Sequence, residues 1–151
     1  MKYQLAFFFR KSLQDYIIIK KIENKIMVTK RFIVQLGCGT DQHGHDNDCT
    51  HAAQKAIKNA ISNNCLTGLL EICNLTTPKQ LLQMKVHVKI GAPFPETIDK
   101  KKVLKAVPFG EKSIEIVKGG LVVKGVKIEE LGDTSDMMIM CNAAVTVSID
   151  E

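Results

Sequence analysis

The sequence contains no apolar run of about 18 residues, so it predicts no membrane-spanning helix. It also lacks internal repeats, low-complexity tracts and a convincing interior linker. The Phe7–Phe9 run is too short for the apolar core of a secretory signal, and no small-residue cleavage site follows it. There is no CxxC pair and no HExxH, so no established zinc motif is present. The five cysteines are odd in number and form no disulfide framework. With no export signal, they predict a reduced, intracellular and cytoplasmic protein.

What is present fits one soluble domain: 151 residues, 45% hydrophobic and 25% charged. This composition excludes a disordered chain, a collagen-like chain and a multidomain enzyme. The net charge of +5 is unevenly placed. Residues 1–26 hold six basic and two acidic residues, while residues 27–151 hold 15 basic and 14 acidic ones. The excess therefore belongs to an N-terminal basic and apolar arm, and the nearly neutral remainder predicts no nucleic-acid partner. Lys100, Lys101 and Lys102 form the only dense basic run in that remainder and read as a solvated helix face. The arm is poor in acidic residues, which leaves organelle targeting by residues 1–26 as an alternative. Arg10 is its only arginine and Ser12 its only serine, which is weak for that class. The simpler expectation is an extension, or an upstream start, ahead of one folding unit at 27–151.

Residues 30–36 read as a strand that Gly37 and Gly39 end. A loop follows, and then a helix over 48–62 with Ala53, Ile57, Ala60 and Ile61 on one stripe. Thr77-Pro78 opens a helical turn. Met84, Val86, Val88 and Ile90 alternate with Lys85, His87 and Lys89, as in a half-buried strand. A short helix is expected over 96–106. Two strands, 113–118 and 121–124, flank Gly119-Gly120, a two-residue hairpin signal. The last strand spans 138–149. Helices thus precede a strand-rich C-terminal half, which predicts an α+β fold. The expected architecture is a two-layer sandwich, a twisted mixed β-sheet with two main helices on one face.

Ligand-type side chains concentrate between Cys38 and His51: Cys38, Asp41, His43, His45, Asp46, Asp48, Cys49 and His51. Nitrogen, sulfur and oxygen donors this close together suit a divalent transition metal, with His43, His45 and Asp41 as the candidate ligands. The alternative is a polar turn with a helix cap and inert buried thiols. A phosphate cradle is disfavoured. Gln42 stands at the third glycine of the dinucleotide pattern, no Gly-Lys-Ser/Thr follows, and Asp41, Asp46 and Asp48 would repel an anion. Cys65, Cys73 and Cys141 lie among apolar neighbours and read as core residues. Ser113 and Lys89 could pair chemically, but their spacing does not single them out, and His87 reads as exposed.

Gly37-Cys38-Gly39-Thr40-Asp41-Gln42-His43-Gly44 carries the pattern GxGxDxHG. With Asn64-Cys65-Leu66, Lys89-Ile90-Gly91-Ala92-Pro93, Pro108-Phe109-Gly110, Gly119-Gly120-Leu121 and Asn142-Ala143-Ala144-Val145, it resembles a small family of conserved hypothetical proteins catalogued under a Lin-series locus name. That family is found in bacteria, and in plants with a long N-terminal extension. The resemblance covers about residues 27–151, leaves out the arm, and implies a fold and a site but no reaction. Carried onto this chain, the signature points to Gly37, Gly39, Asp41, His43 and Gly44. The glycines permit a tight backbone path. A carboxylate beside an imidazole makes an elementary general-base pair, so Asp41 and His43 are the candidate catalytic residues. Gly37, Gly39, Gly44 and Asn142 are the candidate ligand-binding residues.

Three functions compete on these residues. One is an enzyme acting on a small polar metabolite by hydrolysis or proton transfer. Another is a non-catalytic protein that binds a small ligand or metal. The third is a structural oligomer. A domain of this size with short strands and an open sheet face is expected to form a homo-oligomer.

Overall fold

The computed structural model describes residues 28–43 and 47–150. The arm at 1–26, Met27, and Gly44, His45 and Asp46 lie outside the described residues. Chain contacts separate a body, Arg31–Ile149, from a terminal unit to which residues 28–30 and 150 belong. In the terminal unit, Thr29 Oγ1 donates to Asp150 Oδ1.

Strands β1 (Thr29–Asp41), β2 (Lys85–Ala92), β3 (Glu111–Lys118), β4 (Leu121–Lys124) and β5 (Met137–Asp150) form one mixed sheet. The order is β1-β5-β2-β3, with β4 also pairing β5. Helix α1 (Thr50–Ser62) follows β1; α2 (Thr67–Glu71) and α3 (Pro78–Leu81) precede β2; α4 (Lys100–Leu104) lies between β2 and β3. This is the α+β architecture that the order of elements implied. Strands β2 and β3 run parallel, so they need a crossover, and α4 lies within it. Among the described residues no helix is long and apolar enough to cross a membrane.

The period-2 pattern of β2 is realised directly. Val86, Val88 and Ile90 are buried, while His87 and Lys89 face outward. On β5, Cys141, Ala143, Val145 and Val147 point inward. Helix α1 covers this face with Ala52, Ala53, Ala56, Ile57 and Ala60, all with no exposed surface. Helix α4 packs against α1 and β3, so both lie on one side of the sheet. The α4 segment is shorter than the helix expected over 96–106. Pro95–Thr97 forms a 3-10 turn, and Asp99 caps α4 by accepting from Lys101 N at 2.9 Å and Lys102 N at 3.1 Å. Those backbone donors, Lys102 first, hold the Asp99 carboxyl below its ordinary pKa.

Two expectations are corrected. Gly37 and Gly39 do not end β1, which continues to Asp41. A Cβ on Gly37 would lie 2.4 Å from Ala60 N, and one on Gly39 would lie 2.3 Å from both Ala52 O and Ala56 N. A glycine inside a strand marks close approach of another backbone, and here that backbone is α1. Neither glycine has positive φ, so packing, not loop freedom, requires them. The second correction is at Gly119-Gly120, which is not a hairpin. Strand β3 pairs β2, and β4 pairs β5. The two glycines carry the chain across the end of β2. Gly119 N donates to Ala92 O at 2.9 Å, and Gly120 adopts φ +73° against Met140 O.

The outward face of β2 and β3 carries polar cross-strand pairs. His87 Nδ1 lies 2.9 Å from Ser113 Oγ, and Lys89 Nζ lies 2.9 Å from Glu115 Oε1. The Lys89 bond holds the Glu115 carboxyl below its usual value. Both partners are about half exposed, so the pair adds little stability.

Candidate functional site

Asp41 is the last residue of β1 and belongs to its inward row, after Gly37 and Gly39. It is 2% exposed, which is costly for a carboxylate unless donors surround it. Its Oδ1 accepts from the backbone N–H of His43 at 3.3 Å, and its Oδ2 lies 3.7 Å from His51 Nδ1. His51 is the second residue of α1. Asp41 therefore holds the turn that follows β1 and draws a second imidazole from the helix start.

The imidazole of His43 is held by a different carboxylate. Its Nδ1 lies 2.7 Å from Asp133 Oδ1, and Asp133 is 6% exposed. Asp133 follows a 3-10 turn at Glu129–Leu131 that ends in Gly132 with φ +85°. Its second oxygen, Oδ2, accepts from Ile128 N at 2.8 Å, which fixes the carboxylate across its own turn. A carboxylate only accepts, so in the neutral ring Nδ1 carries the proton.

The start of α1 is tied to the segment before α4. Thr97 Oγ1 accepts from Cys49 N at 3.1 Å, Thr50 Oγ1 accepts from Asp99 N at 3.0 Å, and Asp48 Oδ1 accepts from Thr50 N at 2.9 Å. These bonds fix the helix start, and with it His51. Lys55 Nζ donates to Thr40 O at 2.9 Å and joins α1 to β1 one residue before Asp41.

The site thus joins Asp41, His43, His51 and Asp133. The other residues singled out in the sequence are placed elsewhere. Gly37 and Gly39 have their inner faces filled by α1 and leave no room there for a ligand. Asn142 is exposed on the outward face of β5, between the inward residues Cys141 and Ala143 and across the sheet from Asp41. Cys38 is exposed on the outward side of β1. Cys49 and Cys141 are buried together, with Cys141 Sγ 3.8 Å from Cys49 O. Burial, and then the neighbouring Cys49, pushes the Cys141 thiol up to about 12, so it stays protonated near neutral pH. Gly44 and His45 lie outside the described residues, and the metal set His43, His45 and Asp41 lies partly outside them. Among the described residues, no group of three or more His, Cys, Asp or Glu side chains is disposed to hold a metal ion.

Asp133 carried no signal in the sequence. It lies 90 residues from His43, in a connection between strands, and no spacing rule links them. His51 stood in the polar cluster but outside the GxGxDxHG signature.

The model of a conserved hypothetical protein family, Lin0512_fam, matches residues 31–147. No curated protein matches the chain. The chain is also similar to a solved structure, that of an FtsZ-like protein of unknown function from Nostoc punctiforme. The two share 40% sequence identity with a TM-score of 0.71, over 83% of this chain and 99% of that one. With a family model matched over residues 31–147 and a 40% identical relative covering 83% of the chain, this chain belongs to the Lin0512 family of conserved hypothetical proteins.

Proposed function

We propose that Asp41, His43, His51 and Asp133 form a general acid–base site for a small polar metabolite, acting by hydrolysis or proton transfer. The observation that carries this reading is the 2.7 Å contact between His43 Nδ1 and buried Asp133. A carboxylate in that position fixes the tautomer, orients the ring and stabilises the imidazolium once it forms. Nε2 is then the nitrogen through which a proton is exchanged with substrate or with an attacking water. Asp41 positions His43 through its backbone and His51 through its ring. A half-exposed imidazole backed by a buried carboxylate is placed to exchange protons with a bound molecule, which supports this reading.

The test is turnover of a mixed pool of small polar metabolites. Wild-type protein is expected to deplete at least one component with time, and His43→Ala to leave that component unchanged. Identical profiles for wild type, His43→Ala and a no-protein control would contradict the reading.

A second reading concerns assembly. Val34 and Leu36 on β1 are 51% and 74% exposed, and Leu121 and Val123 on β4 are 52% and 46% exposed. All four lie on the outward face of strands that flank β5, where Met138 and Met140 face the same way. Several exposed apolar side chains on one sheet face are suited to burial against another surface. The chain would bury this face in a homo-oligomer. Light scattering is expected to give an oligomer for wild type and a monomer for Leu36→Glu. A monomeric wild type would contradict it.

A further inference from the structure

The inward row of β1 runs Gln35, Gly37, Gly39, Asp41. Helix α1 lies over the two glycines and leaves a polar residue at each end. Asp41 serves the site described above. Gln35 lies six residues away along the strand, about 20 Å at the rise of a β-strand. It lines a cavity of about 200 Å³ beyond the C-terminal end of α1. The walls are otherwise apolar apart from Asn64: Leu66 after the helix, Val86 on β2, Val147 on β5, and Phe109, which is 44% exposed. Two segments that carry the family resemblance, Asn64-Cys65-Leu66 and Pro108-Phe109-Gly110, meet at this cavity. The proposed acid–base reaction uses none of these residues.

Gln35 is 3% exposed, and what remains uncovered of it opens on this cavity. Nearby Asn64 Nδ2 donates to Ala60 O at 3.0 Å. A largely buried amide needs a hydrogen-bond partner, and a molecule in the cavity can supply one. Gln35 presents a donor and an acceptor side by side. The complementary group is another amide edge, with an N–H and a C=O side by side. No charged side chain lines the cavity, so an ionised ligand would lose its hydration without compensation. An apolar cavity of about 150 Å³ accepts a benzene-sized molecule, so this one has room for a ring with a small substituent.

We infer that this cavity is a second small-molecule site, taking a neutral ring compound whose carboxamide or lactam edge pairs with the Gln35 amide. The ring fills the space among Leu66, Val86 and Val147, and Phe109 stands at the mouth. The site is independent of Asp41 and His43.

The test uses benzamide and benzoate as probes in an NMR titration of the isotope-labelled full chain. Benzamide is expected to give saturable shifts at the Gln35 side-chain NH2 and at the Val86 and Val147 methyls, with benzoate at least tenfold weaker. Gln35→Leu is expected to weaken benzamide at least tenfold while keeping or raising the melting temperature. Phe109→Ala, at the exposed mouth, provides a second variant and is expected to weaken benzamide without unfolding the chain. Three results would overturn the inference: no saturable shift at Gln35, benzoate binding as tightly as benzamide, or unchanged benzamide affinity in folded Gln35→Leu. The first of these would leave ordered water as the occupant.

Discussion

Gly39→Ala is expected to destabilise the protein by about 3 kcal/mol or more, a large share of the ~5–15 kcal/mol that keeps a typical domain folded. The added Cβ would stand 2.3 Å from Ala52 O and 2.3 Å from Ala56 N. Both are backbone atoms of α1, so no side chain can turn aside. Relief requires the helix to lift from the sheet. Ala52, Ala53, Ala56 and Ala60, now without exposed surface, would then lose contact along the whole row. Such a core does not deform gradually, because interiors are close-packed. Gly132→Ala is the control. Gly132 has positive φ but nothing within 4 Å of its added Cβ, so only backbone strain of about 1 kcal/mol is expected. Thermal or denaturant unfolding of both variants measures the difference. A Gly39→Ala protein that melts within about 2 °C of wild type would contradict the close helix–strand packing.

Asp133→Asn is expected to lower turnover of the depleted metabolite by about 10²–10⁴-fold with little change in stability. The amide oxygen can still accept from Ile128 N, which Asp133 Oδ2 does at 2.8 Å, so the local turn is kept. What disappears is the negative charge behind His43 Nδ1. An amide can present its NH2 to that nitrogen and favour the opposite tautomer, and it cannot stabilise an imidazolium. The loss should appear in kcat more than in KM, since Asp133 acts through His43 and not on substrate. Equal turnover by wild type and a folded Asp133→Asn would remove Asp133 from the mechanism.

The parts of the fold legible in the sequence were those set by periodicity. The Val86-Val88-Ile90 alternation placed β2, the alanine stripe placed α1, and Thr77-Pro78 opened α3. Thr77 and Gln80 there form a reciprocal cap. The two misread glycine pairs share one physical cause. Glycine signals a turn when only local chain is considered, but it also permits backbones to touch. Gly37 and Gly39 admit a helix, and Gly119 and Gly120 let the chain cross strand β2. The same locality limited the reading of the site. Asp41 and His43 are two residues apart, and their relation through the His43 backbone follows from that spacing. The carboxylate on the imidazole comes from a distant turn, brought near by the sheet order that sets β1 beside β5. Gln35 appeared as an ordinary strand residue, and only the end of α1 beneath it leaves its amide facing a cavity.

The central claim is that Asp133 sets the protonation state and orientation of His43. Nitrogen-15 NMR of the histidine-labelled protein reads this directly. In the neutral ring of wild type, His43 is expected to be predominantly the Nδ1–H tautomer, with a strongly deshielded Nδ1 proton, and Asp133→Asn is expected to shift it toward Nε2–H. A wild-type His43 with the solvent-like tautomer mixture, unchanged by Asp133→Asn, would contradict the claim.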